Sequence, residues 1–273
     1  MNGSTLVRFA GASVFALAIA ACSSDGTGPS AELTLEESSD AAQTVGDAAA
    51  EDVAQWLEGE GTMGAGGVAP SVGVEIAPAI GDVCPYDVTT GRFVCPSVVR
   101  EGLTIDRSFA LFDAQSQPMQ AFDHQLTASA NFQWSLQGTV TRENWSGTVN
   151  RSRDMTVSGM AGRETQRTWN GEGSNHTEAQ FTGGAGTRTY THDVQTAVAN
   201  VVVAVPRALN NPWPLSGTLT ADVTSTRPRF GGGTVDFTAV VTFNGTRFVP
   251  LDVGEREFCF DLAMRRVVAV DCR

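Results

Sequence analysis

From about Asp82 onward the chain alternates apolar and polar residues with a period of two. Leu126, Ala128, Ala130, Phe132, Trp134, Leu136, Gly138 and Val140 are interleaved with Thr127, Ser129, Asn131, Gln133, Ser135, Gln137 and Thr139. Successive strand side chains point to opposite faces, so this stretch predicts one long strand with an apolar and a polar face. Leu219, Ala221 and Val223 repeat the pattern, as do Val235, Phe237, Ala239, Val241 and Phe243. Asn244-Gly245 then predicts a tight type I′ hairpin, with Phe248 returning on the apolar face. Further strands are expected at Leu103–Phe112, Thr148–Gly159, Gly162–Trp169 and Thr187–Val205. With short turns and no helical segments between them, these predict an all-β domain over 82–273. The expected form is a curved antiparallel meander sheet or open barrel of about ten strands.

One segment has a different period. In 38–59, Val45, Ala49, Val53, Trp56 and Leu57 recur at helical spacing, with acids between them. They predict an amphipathic helix from Ser38 to Glu58, with Ser39 or Asp40 as N-cap and Gly59 as the stop. A one-faced antiparallel sheet must cover its apolar side, so the helix is expected to dock there. A Gly/Ala/Pro-rich linker, 60–81, follows.

Four cysteines lie in or beside the β pattern: Cys84, Cys95, Cys259 and Cys272. A turn over Val88–Gly91 places Cys84 opposite Cys95, and a turn at Arg265-Arg266 places Cys259 opposite Cys272. Facing strand positions suit a disulfide, so these pairings are expected. A four-cysteine zinc site is disfavoured by the lack of close C-x₂₋₄-C pairs. The two hairpins read alike: Tyr86-Asp-Val and Phe260-Asp-Leu, then a turn, then Arg and Val, as if one solution stood at each end of the sheet.

The fifth cysteine, Cys22, ends the run Ile19-Ala20-Ala21-Cys22. An apolar segment too short to span a bilayer and a single Arg precede it. The run resembles the lipobox of bacterial lipoproteins. The resemblance covers about the first 30 residues. It implies a signal peptide over 1–21, cleavage before Cys22, acylation of Cys22 and a membrane anchor, with 22–37 as an acidic tether. Ser23 in place of Asp implies the outer membrane as destination. No family resemblance is assigned to the β domain.

Charge narrows the choice of partner. There is no Lys; Gly26 to Gly91 carries twelve acids and no Arg, while 17 Arg balance 17 acids from Arg92 onward. No basic domain exists, so nucleic acid is not expected. No catalytic Lys, nucleophile elbow, zinc-protease or nucleotide motif is present. Gly59-Glu-Gly61-Thr-Met-Gly64 matches G-x-G-x-x-G but follows a helix rather than a strand. His124, His176 and His192 are scattered, and no cofactor or metal is expected.

One cluster suggests a ligand. Arg151 and Arg153 share a strand face with Val149, Met155 and Val157, while Arg163 and Arg167 share one with Trp169; Arg142 and Trp145 lie nearby. Such arginines could line a site for an anionic head group or glycan. The competing reading is an edge strand protected by charge, or cross-strand pairs with Asp154 and Glu164. The functional expectation is a lipid-anchored, non-catalytic envelope protein, binding or structural, holding an apolar or amphipathic ligand or meeting an envelope protein. The alternatives are an envelope hydrolase and a transmembrane β-barrel component.

Overall fold

The structure, a computed structural model, describes residues 33–62, 84–162, 164–183, 186–205, 211–226, 233–269 and 272. The signal segment, Cys22, the linker from residue 63, and Arg163 lie outside the described residues. Helix α1 runs Leu35–Thr62 and precedes fourteen strands: β1 Tyr86–Asp87, β2 Arg92–Val94, β3 Val98–Arg100, β4 Leu103–Asp113, β5 Pro118–Met119, β6 Thr127–Thr141, β7 Trp145–Ser158, β8 Gln166–Gly183, β9 Gly186–Ala204, β10 Ser216–Thr226, β11 Thr234–Thr242, β12 Phe248–Val253, β13 Arg256–Asp261 and β14 Arg266–Val268.

All strand pairings are antiparallel, in the order β1-β2-β4-β6-β7-β8-β9-β10-β11-β12-β13-β14, with β3 and β5 also paired to β4. The sheet is open, with β1 and β14 at its ends. The expected open antiparallel meander is present, but with fourteen strands among the described residues rather than about ten; the short strands β1, β2, β3, β5 and β14 raise the count. No helix among the described residues is long and apolar enough to cross a membrane.

The helix is longer than its apolar stripe predicts, by three residues before Ser38 and four after Glu58. Its N-cap is Thr34, not Ser39 or Asp40. The Glu37 amide donates to Thr34 Oγ1 (3.2 Å), and the Thr34 amide donates to Glu37 Oε2 (2.8 Å). This reciprocal capping box satisfies donors that the first turn leaves open. Glu36 and Glu37 also sit where the helix dipole favours negative charge.

Almost every side chain of α1 from Glu37 to Trp56 is buried, on the polar face as well as the apolar one. The inner face of the sheet accounts for this, because it curls round the helix. Trp56 stacks on Trp169 of β8 (6.0 Å between centroids) and meets the edge of Phe243 (5.8 Å). Val45, Ala49 and Val53 join the same core as Phe109, Phe132, Met155, Val198, Leu219, Val241 and Leu251. The helix thus supplies the second layer that the one-faced sheet requires.

Both disulfides form as the spacing predicts, Cys84–Cys95 and Cys259–Cys272. The two hairpins are equivalent in register: Tyr86 faces Phe93 and Asp87 faces Arg92, as Phe260 faces Val267 and Asp261 faces Arg266. Each aspartate holds its turn by accepting backbone N–H groups, from Thr89 at one end and from Ala263 and Met264 at the other. The left-handed turn position is Gly91 (φ 68°) in the first and Arg265 (φ 51°) in the second. A non-glycine residue pays strain there, and Arg265 is tied to the helix.

Three local expectations are corrected. Leu126 is exposed and β6 starts at Thr127, which a register irregularity between Phe112 and Asp113 turns inward. Strand β8 does not stop at Trp169; it continues through Gly171 and Gly173 to Gly183. Asn244-Gly245 forms no two-residue turn: Val241 faces Leu251, so Val249 rather than Phe248 returns on the inner face. The Asn244 side chain accepts from the Thr246 amide and donates to the Phe248 carbonyl, which stabilises a wider loop.

Candidate functional site

Of the arginines that the sequence singles out, Arg151, Arg153 and Arg167 are buried on the inner face, and the helix meets the first two. Arg153 donates from Nε (3.1 Å) and Nη2 (3.0 Å) to Asp52 Oδ2, with both side chains out of solvent. Its Nη1 donates to the carbonyls of Ser152 and Ser174. Arg151, equally buried, donates to the Ala48 carbonyl at 3.4 Å. Burial lowers its pKa, against the opposing field of Asp52, Asp47 and Glu51. Arg167 is buried near Trp169 on β8. Arg151, Arg153, Arg167 and Trp169 therefore share the inner face, and the anionic group that Arg153 meets there, Asp52, belongs to the chain itself. The edge-strand explanation does not apply, since β7 is central. Asp154 points the other way, toward Asn131 and Gln133.

Further ion pairs lie along the helix. Asp40 accepts from Arg188 Nε (2.8 Å) and Nη2 (2.9 Å), which raises the Arg188 pKa. Asp47 accepts from Arg142 Nε at 3.2 Å and lies 3.8 Å from Arg265 Nη1. Glu51 accepts from Arg265 Nη2 at 2.6 Å. Burial alone would favour neutral Glu51, but Arg265 outweighs it and holds the carboxyl below its usual pKa. Arg142 follows β6 and Arg265 lies between β13 and β14, so Asp47 links strands far apart in the sheet order.

Gln43 has a separate role at the β14 edge. Its Oε1 accepts from the Val267 amide (3.2 Å), and its Nε2 donates to the Arg265 carbonyl (2.8 Å). One side chain thus satisfies backbone groups that an edge strand would leave unpaired.

The sequence pattern offers Asp40 only as an N-cap and does not mark Gln43, Asp47, Glu51 and Asp52. Their offsets along the helix (4, 7 and 11 residues from Asp40 to Thr44, Asp47 and Glu51) mark a polar stripe, which an isolated helix would turn to solvent.

The three histidines do not converge. His124 meets the edge of the Phe122 ring. His176 is exposed on β8, 2.7 Å from Asp193. His192 is buried on the inner face of β9, stacked on Tyr190. His176 faces Asp193 and Thr177 faces His192 in register, so the two rings lie on opposite faces.

The outer face holds a groove of about 1070 Å³. Its floor is a continuous cross-strand row: Asp106 faces Ser135, Ser135 faces Ser152, Ser152 faces Ser174, Ser174 faces Gln195, and Gln195 faces Asp222. Ser152 and Ser174 share a hydrogen bond at 3.0 Å. Along one bank, Arg92 Nη1 donates to Asn131 Oδ1 (2.8 Å). Asn131 Nδ2 and Gln133 Nε2 in turn donate to the two oxygens of Asp154. The hairpin residues Thr90 and Val94, with disulfide-bonded Cys95, rise beside it.

No family model, curated protein or solved structure matches the chain.

Proposed function

We propose that the protein is a lipid-anchored component of the bacterial cell envelope, tethered through acylated Cys22 and exported to the outer membrane, with a non-catalytic binding or structural role. The anchor rests on Ile19-Ala20-Ala21-Cys22 behind a short apolar segment. One acyl chain holds a protein only marginally, whereas the two or more implied by a lipobox anchor it stably.

The observation that carries the non-catalytic reading is the engagement of the inner face by α1. Arg151, Arg153 and Arg188, the charged groups best placed for chemistry in the curve, hold the backbone and carboxylates of the helix. Trp56 fills the space between Trp169 and Phe243. An apolar ligand inside the curve would have to take the place of α1. The surface left for a partner is the outside of the sheet.

The test is metabolic labelling with a fatty-acid probe and detergent phase partition, comparing the wild-type chain with Cys22→Ala. Label and detergent partition should both disappear in the variant. Equal labelling of the two proteins would overturn the anchor.

A further inference from the structure

We propose that the outer groove binds an extended, uncharged carbohydrate chain. The inference stands independently of the lipid anchor, since it uses only the face opposite α1.

The floor row crosses six adjacent strands, so at a strand spacing of about 4.8 Å it runs roughly 24 Å across the sheet. That is a linear track rather than a compact pocket. Three consecutive floor positions are serines, whose short side chains keep the track low and offer both donor and acceptor capacity. The longer carboxylates and carboxamide, Asp106, Gln195 and Asp222, stand toward its ends. On the bank, the chain Arg92–Asn131–Asp154–Gln133 fixes a guanidinium, two amides and a carboxylate in orientation before any ligand arrives. Closely spaced, pre-oriented donors and acceptors of this kind match the adjacent hydroxyls of a sugar ring, and preorganisation lowers the cost of binding.

Two observations remove other occupants. Strands β6 to β10 each have a neighbour on both sides, so no backbone edge is open for a peptide to add as a strand. Asp106, Asp154, Glu172 and Asp222 line the groove against Arg92, Arg107 and Arg153, and Arg153 is already neutralised by Asp52, so the net charge of the lining is negative and disfavours an anionic polymer. What remains is a polyhydroxylated chain without acid groups, recognised by side chains alone.

The experiment titrates the full-length chain, in detergent, with uncharged hexasaccharides of glucose and of N-acetylglucosamine, followed by amide shifts in NMR. At least one should shift the amides of Ser135, Ser152, Ser174 and Gln195. Ser152→Trp, which fills the track from an exposed position, should abolish those shifts without changing the melting temperature; Ser174→Trp, on the neighbouring strand, provides a second block should the first variant fold poorly. A hexasaccharide of uronic acids should bind more weakly. The proposal is overturned if no uncharged hexasaccharide moves these amides, if both blocked variants still bind, or if the uronic acid chain binds equally well.

Discussion

The guanidinium of Arg153 and the carboxylate of Asp52 meet at 3.0 Å, with side chains 1% and 0% exposed. One residue comes from β7 and the other from α1, about a hundred positions apart in the chain. Their contact fixes the helix both along and around its axis, because Arg153 is held from the other side by the carbonyls of Ser152 and Ser174. Two ions so far from water are costly, and their mutual attraction mainly offsets that cost. The pair therefore specifies the position of the helix more than it adds net stability.

Removing one partner should thus be worse than removing both. Arg153→Met leaves the buried Asp52 without its hydrogen-bonded partner, and should cost about 3–5 kcal/mol. Asp52→Leu combined with Arg153→Met should recover most of that loss. Urea unfolding of the two single variants and the double variant measures the coupling. Additive losses would show that the two groups do not act as a pair.

Trp56 is the largest side chain by which α1 enters the core, 1% exposed between Trp169 and Phe243. Trp56→Ala should cost about 3–5 kcal/mol through lost burial and the cavity left behind. Cleavage at a protease site inserted between residues 63 and 81 gives an independent check. If release of the helix leaves the thermal stability of the β domain unchanged, α1 is not part of the core.

Local pattern was enough to read the β architecture where apolar and polar residues alternate without interruption, as in β6, β9, β10 and β11. The disulfides were legible because their cysteines flank short hairpins. The second half of β8 was not. Asn170-Gly171-Glu172-Gly173 looks like a break, yet the glycines let the β7 backbone approach: a Cβ on Gly171 or Gly173 would run first into the carbonyl oxygen of Asp154 or Ser152, and then into a β7 side chain. A Cβ on Gly173 would lie 2.5 Å from Arg153 Cδ, and one on Gly171 would lie 2.7 Å from Met155 Sδ. The arginine cluster was visible as a set of residue types, but not its partners, because acids on a helix face look the same whether they meet water or a curled sheet. The floor of the outer groove was invisible, since its six residues come from six strands and only the register of the sheet aligns them.

Gly46 sits inside α1, where replacement by Ala ordinarily gains up to about 1 kcal/mol of helix propensity. Here the gain should be reversed. A Cβ on Gly46 would lie 2.2 Å from Cδ2 of Phe260, a fully buried ring on β13. A rigid aromatic in a packed core has nowhere to go, and overpacking of this kind costs about 1–3 kcal/mol. Gly46→Ala should therefore lower the melting temperature, and Phe260→Leu should be better tolerated in the Gly46→Ala background than in wild type. A stabilised Gly46→Ala protein would mean that α1 does not press on β13 there.

His192 makes stability depend on pH. It is buried on the inner face of β9, stacked on Tyr190, in a pocket shared with Leu33, Glu37 and Ser225. Burial lowers its pKa from 6.5 to about 4, and the partly opposing field of Asp193 does not reverse this. The folded protein keeps the ring neutral, while the unfolded chain takes up a proton below about 6.5. The contribution is therefore fully present above pH 6.5 and is lost as pH falls toward 4. Each pKa unit corresponds to about 1.4 kcal/mol, so the loss approaches 3 kcal/mol across this window. The pocket lies against the first turns of α1, so the helix N-terminus should loosen first. His192→Gln keeps a polar side chain but cannot titrate, and should flatten the pH profile between 6.5 and 4. The check is urea unfolding at half-unit pH steps, with amide exchange in residues 33–45. A wild-type profile that matches the variant would show that His192 keeps its ordinary pKa in the folded protein.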